Sequence, residues 1–217
     1  MECRLAIFDL DGVLTDTAKY HYLAWRELAA KLNYTLSEEQ NEELKGVSRI
    51  DSLNRILHWA GLTAEDVPFE DYLEDKNRNY LRLIDHMDET ELFEGVVPLL
   101  TALKQNEIKI ALGSSSKNAR FILDKLGITS FFDVVGDGNS VTQSKPAPDI
   151  FLYASDMCGV APEHCLVFED APAGVDAARA ASMPCIGIGD PKNLQNAHIC
   201  IPHISAFNLE MLKALSN

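Results

Sequence analysis

The chain has 217 residues, of which 33 are Asp or Glu and 19 are Lys or Arg, a formal net charge of −14. A pI near 4.7 with no clustered Lys or Arg leaves no basic face for counterion release, so neither nucleic acid nor an anionic membrane is an expected partner. No apolar run approaches the roughly 18 residues of a membrane span, and the cysteines, widely spaced and without a CxxC pair, fit reduced thiols of a cytoplasmic protein and not a disulfide or zinc scaffold.

The first predicted strand is Arg4–Phe8. From about residue 18 to residue 85 no strand follows, only the amphipathic pieces Tyr20–Leu32, Glu38–Leu44, Asp51–Ala60 and Phe69–Ile84. Ser37 and Gln40 have the spacing of a capping box, and Gly61 suits a helix end. After Glu94-Gly95 the pattern alternates. Helices Val96–Gln105, Lys117–Leu126, Asp149–Cys158 and Ala173–Ala181 interleave with strands Lys109–Gly113, Phe132–Val135, Cys165–Phe168, Pro184–Ile188 and Ile199–Ile201, and Leu209–Leu215 closes the chain. This predicts a Rossmann-like α/β fold, a parallel sheet covered by helices, built from residues 1–15 and 90–217. Residues 16–89 form an inserted all-helical domain.

In open α/β sheets ligands bind at the carboxyl ends of the strands. Asp9 and Asp11 end the fully apolar first strand, two residues apart and so on the same side, with Gly12 letting the chain turn away. Glu169-Asp170 ends a second apolar strand. Four carboxylates in one crevice repel strongly at low dielectric and demand a cation, and an all-oxygen set suits Mg²⁺. Ser114, Ser115 and Ser116 lead from a strand into a helix, an arrangement that serves an anion site or a plain serine cap equally. Lys145, in the proline-stiffened loop Ser144-Lys145-Pro146, is either a solvated cation or the fixed charge of a phosphate crevice.

Asp9-Leu10-Asp11-Gly12, Ser114, Lys145 and Glu169-Asp170, in that order, resemble the haloacid dehalogenase superfamily along the whole chain. The resemblance implies a strand order 5-4-1-2-3 and a mobile helical cap. It makes Asp9 the nucleophile that accepts phosphate and Asp11 the general acid/base, and gives Mg²⁺ the ligands Asp9, Asp11, Glu169 and Asp170. Within the superfamily, residues 16–25, 44–53, Lys76-Asn77, 114–118 and 144–151 resemble the β-phosphoglucomutases, although Ser115 stands where relatives often carry Ala. That likeness gives Arg49 the non-reacting phosphate. It brings Thr17, Trp25, Gly46, Ser52, Ser114, Ser115 and Lys145 to the substrate, and His21, Lys76, Ser116, Lys117 and Asn118 to the substrate or the hinge. Singly, Trp25 reads as packing ahead of recognition, His21 equally as a packed or a functional imidazole, and the other histidines show no ligand spacing.

The activity expected is the interconversion of β-glucose 1-phosphate and glucose 6-phosphate by a monomeric enzyme acting on small sugar phosphates. Two alternatives stand beside it. One is a sugar-phosphate phosphatase using the same core acids, in which water replaces the sugar hydroxyl; the other is a non-catalytic sugar-phosphate sensor.

Overall fold

The computed structural model describes residues 2–44 and 47–214. Strand β1 (Leu5–Phe8) is apolar and fully buried because both of its faces are covered. Ala6 and Phe8 join one apolar cluster with helix α5 (Val96–Gln105) and helix α6 (Ala119–Lys125). Leu5 and Ile7 join another with α7 (Asp149–Cys158) and α8 (Pro172–Ala180). The remaining strands are β2 (Lys109–Gly113), β3 (Val134–Gly136), β4 (Cys165–Glu169), β5 (Cys185–Ile188) and β6 (Ile199–Ile201). All pair in parallel, in the order β3-β2-β1-β4-β5-β6. The expected order 5-4-1-2-3 is present, with β6 added at the edge beyond β5. The order reverses between β1 and β4, so the carboxyl ends of these neighbours open a crevice at the topological switch point.

Between β1 and α5 lie α1 (Ala18–Lys31), α2 (Glu38–Glu42), α3 (Arg49–Trp59) and α4 (Phe69–Ile84). They gather around their own apolar cluster, which includes Trp25, Leu28, Leu53, Ile56 and Leu73. Leu53 is fully buried there, so its truncation to Ala would cost about 2–5 kcal/mol. The helices are also rooted in the sheet, because Ala24, Tyr80 and Ile84 belong to the cluster of Phe8. The Ser37–Gln40 capping box forms as the spacing predicts, and Gly61 follows α3 at φ +73°. A short terminal helix, α9 (Met211–Ala214), ends the described chain. None of the described helices is long and apolar enough to cross a membrane.

Several helix starts differ from expectation by one or two residues, and two of them do so for a clear local reason. Helix α3 begins at Arg49, two residues before the predicted Asp51, because the Ser48 hydroxyl accepts from the Asp51 N–H and caps it. Helix α6 begins at Ala119 and not Lys117. The Ser114 and Ser116 hydroxyls accept the Ser116 and Asn118 N–H groups, holding residues 114–118 as a turn.

Candidate active site

The floor of the crevice is built by strand ends. Asp9 follows β1, and its N–H donates to the Phe168 carbonyl of β4, which locks the two strands side by side at the point where their acids emerge. Lys145, buried in the loop before α7, donates to Asp9 Oδ1 at 2.5 Å and to Glu169 Oε1 at 2.6 Å. Burial alone would disfavour its charge, but Asp9 and Glu169 outweigh that and hold the ammonium above its ordinary range. The second Glu169 oxygen accepts the Ala171 N–H at 3.0 Å. Two glycines make room for the acids. A Cβ on Gly12 would lie 2.0 Å from an Asp170 oxygen, and one on Gly174 1.8 Å from a Glu169 oxygen, so any side chain at either position would displace a carboxylate. Gly12 also sits at φ +76°.

Acidic groups gather on this floor. Asp9, Glu169 and Asp170 each offer an oxygen, all within 4.8 Å of one another, and Lys145 pairs with two of them. Burial and then the neighbouring Asp9 push Asp11 up to about 7. Burial likewise raises Glu169, and the pull of Lys145 does not overcome it. An all-oxygen set of this kind fits a hard divalent cation such as Mg²⁺.

The roof has the opposite character. Lys76 of α4 is buried with its Nζ 2.6 Å from His21 Nδ1 and 4.7 Å from the centres of both the Trp25 and Tyr80 rings. His21 stacks on Tyr80 at 4.0 Å. No carboxylate of the described residues forms an ion pair with Lys76 or Arg49. Burial, and then the charge of Arg49, drive Lys76 well below its usual range. Burial followed by Lys76 and Arg49 does the same to His21, whose Nδ1 pairs with the Lys76 Nζ. Arg49 opens the first turn of α3, where the helix dipole disfavours a cation by about 0.3–1 kcal/mol. Floor and roof enclose a cavity of about 340 Å³.

The chain matches the haloacid dehalogenase-like hydrolase family over residues 3–182. It belongs to that family. It is 39% identical over 211 residues to the β-phosphoglucomutase of Bacillus subtilis, covering 96% of this chain and 93% of that protein. The crystal structure of a β-phosphoglucomutase from Clostridium difficile superposes with a TM-score of 0.94 at 39% identity, covering 98% of this chain and 96% of that one. A phosphorylated carbohydrates phosphatase of Thermotoga maritima is 30% identical over 180 residues, covering 82% of this chain and 81% of that protein.

In this haloacid dehalogenase family member the cavity is lined by Asp9, Asp11, His21, Trp25, Arg49, Ser52, Lys76, Ser114, Ser115, Ser116, Lys117 and Asp170. Of the other residues expected there, Lys145 and Glu169 stand behind Asp9 as its buried support, and Thr17 is buried at the start of α1. Asn118 is turned to Asn77 of α4, donating to it at 2.8 Å. Gly46 lies outside the described residues. Asp11 is not one of the three acids whose oxygens converge. Trp25 serves both expectations, packing into the cluster of the inserted helices and facing Lys76. Tyr80 was not foreseen, although its place four residues after Lys76 on one helix face would have shown it. The contact of Asp51 with Ser144 joins residues 93 apart in sequence and had no local signal.

Proposed function

We propose that this protein is a cytoplasmic β-phosphoglucomutase, interconverting β-glucose 1-phosphate and glucose 6-phosphate through an aspartyl phosphate on Asp9. The observation that carries this reading is the roof: among the described residues Lys76 and Arg49 are cations without a carboxylate ion pair, facing a floor that has a nucleophilic acid of its own. A phosphatase needs only the floor. A substrate with phosphate at two positions needs an anion site at each end, and the relatives named β-phosphoglucomutase span nearly the whole chain.

Phosphorylated Asp9 gives its phosphoryl group to a sugar hydroxyl. The bond from phosphorus to Asp9 breaks as that to the sugar oxygen forms, and the hydroxyl proton passes to Asp11. A carboxyl pushed up to about 7 can accept and return that proton near neutral pH. The sugar bisphosphate then turns end for end and returns its other phosphoryl group to Asp9, the proton going back from Asp11. Lys145 offsets charge on Asp9 throughout, and the Ser114 hydroxyl, lining the cavity, fixes phosphoryl oxygens. Asp9 and Asp170, with Glu169 beside them, would hold Mg²⁺, which when bound neutralises the transferring phosphoryl group. Arg49, with its fork of donors, grips the distal phosphate while the sugar lies against Trp25 and His21.

The test is incubation with β-glucose 1-phosphate, Mg²⁺ and a trace of glucose 1,6-bisphosphate, scoring glucose 6-phosphate against inorganic phosphate. The mutase reading expects glucose 6-phosphate in large excess. Stoichiometric inorganic phosphate would make the protein a phosphatase, and no turnover at all a sensor.

A further inference from the structure

Among the described residues, two side-chain hydrogen bonds join the inserted helices to loops that line the site, beside its floor. Ser144 Oγ donates to Asp51 Oδ2 of α3 at 3.3 Å, and Asn118 Nδ2 donates to Asn77 Oδ1 of α4 at 2.8 Å. Each partner sits beside a cation that lines or supports the cavity: Asp51 two residues from Arg49, Ser144 next to Lys145, Asn77 next to Lys76, Asn118 next to Lys117. We propose that these contacts are two positioning clasps. They set the roof cations against the floor and shut water away from phosphorylated Asp9, an inference that rests on the mutase reading.

Both ends of each clasp are held by their own segment, so a bond between them transmits position. The Asp51 carboxylate also accepts from the Ser48 hydroxyl at 2.6 Å, and the Asp51 N–H donates back to it at 3.1 Å, which fixes the first turn of α3. Ser144 belongs to a turn closed by the Ala147 N–H on its carbonyl, and the next residue is the buried Lys145. Asn118 is fixed by its N–H on the Ser116 hydroxyl, and Asn77 lies within α4. Arg49 and Lys145 are thus linked through a short, constrained path, and so are Lys76 and Lys117.

The strength of the clasps suits a site that must open. A hydrogen bond of this kind shifts an equilibrium by about twofold to tenfold. Two together favour the shut state, yet leave it able to release a bisphosphate so that the sugar can turn. Ion pairs buried across the same gap would bind the helices too firmly for exchange, and no clasp at all would expose the aspartyl phosphate.

The experiment loads wild type, Ser144→Ala, Asn77→Ala and the double variant with phosphate from acetyl phosphate. It then measures how each divides that phosphate between glucose 6-phosphate and water. Ser144→Thr keeps the hydroxyl and serves as the rescue. The same proteins are followed by hydrogen exchange across residues 13–18 and 88–95, which join the inserted helices to the core. The clasps predict that each single variant raises the fraction lost to water about twofold to tenfold, that the double variant raises it further, and that Ser144→Thr restores the wild-type division. Exchange in the joining segments rises in parallel. Variants that divide phosphate as an efficiently transferring wild type does would overturn the clasps and leave the mutase reading standing. If the wild type transfers nothing to sugar, the mutase reading fails. Exchange then decides the clasps alone: faster exchange in the variants supports them, and unchanged exchange overturns them.

Discussion

The floor and the roof of the cavity handle buried charge in opposite ways. On the floor, Lys145 bridges Asp9 and Glu169 with both contacts at hydrogen-bond length, and the second oxygen of Glu169 accepts the Ala171 N–H. On the roof, Lys76 rests on aromatic faces and an imidazole, and Arg49 begins a helix, with no acid of the described residues paired to either. A lysine fixed among carboxylates, with an all-oxygen set left to take a divalent cation, is a preorganised catalytic surface. Buried cations that cost stability are what the proposed mutase would use to take an anionic group. On the proposed mutase reading, the contrast separates the half of the molecule that would do the chemistry from the half that would recognise the far end of the substrate.

The largest effect expected lies on the floor. Asp9→Ala removes the phosphoryl acceptor, so turnover should fall by roughly a thousandfold or more, and incubation with acetyl phosphate should leave no phosphate on the protein. Phosphate found on another residue would contradict the assignment. Chelation of Mg²⁺ comes next, with a loss of about a hundredfold or more. Asp170→Ala should raise the Mg²⁺ concentration needed for half-maximal activity, which a metal titration reads. Full activity in excess chelator would remove the cation from the floor.

The roof should answer differently. Lys76→Met replaces a buried, unpaired cation by an apolar chain of similar length, so it should stabilise the folded protein by about 1–4 kcal/mol while lowering mutase turnover. Thermal unfolding and steady-state assays on the same samples check both halves. A destabilised variant would mean that Lys76 is held by structure and not kept for a ligand.

A smaller effect belongs to His21. Its folded form resists protonation, whereas the unfolded chain takes up a proton near the ordinary histidine value of about 6.5. Its contribution to stability is therefore intact above that value and is lost as the pH falls below it. Between pH 7.5 and 5 the thermal midpoint of wild type should drop further than that of His21→Gln, and equal slopes would contradict a neutral His21 beneath Lys76.

The floor was legible in the sequence because each part is local. Asp9 and Asp11 end one apolar strand, Glu169-Asp170 ends another, and strand ends at a switch point must share a crevice. The roof was legible only through likeness to relatives, since no periodicity tells that Lys76 points at Trp25 and Tyr80. What joins the two was not legible at all. Ser144–Asp51 and Asn118–Asn77 are set by how the helices dock on the sheet, and ordinary Ser, Asp and Asn residues carry no mark of it. The start of α3 at Arg49 was missed for a smaller reason: Ser48 and Asp51 form a cap whose spacing, three residues, was present in the chain.

The most direct test of the division between floor and roof is Arg49→Ala, compared with wild type on β-glucose 1-phosphate with a trace of bisphosphate. Losing a charge-assisted grip on the distal phosphate should cost about tenfold to a hundredfold in glucose 6-phosphate formation. The untouched floor still takes phosphate from acetyl phosphate. The ratio of glucose 6-phosphate to inorganic phosphate should fall sharply in the variant, because the phosphoryl group on Asp9 goes to water more often. An unchanged ratio would show that the roof does not hold a second phosphate, and the floor alone would then define the enzyme.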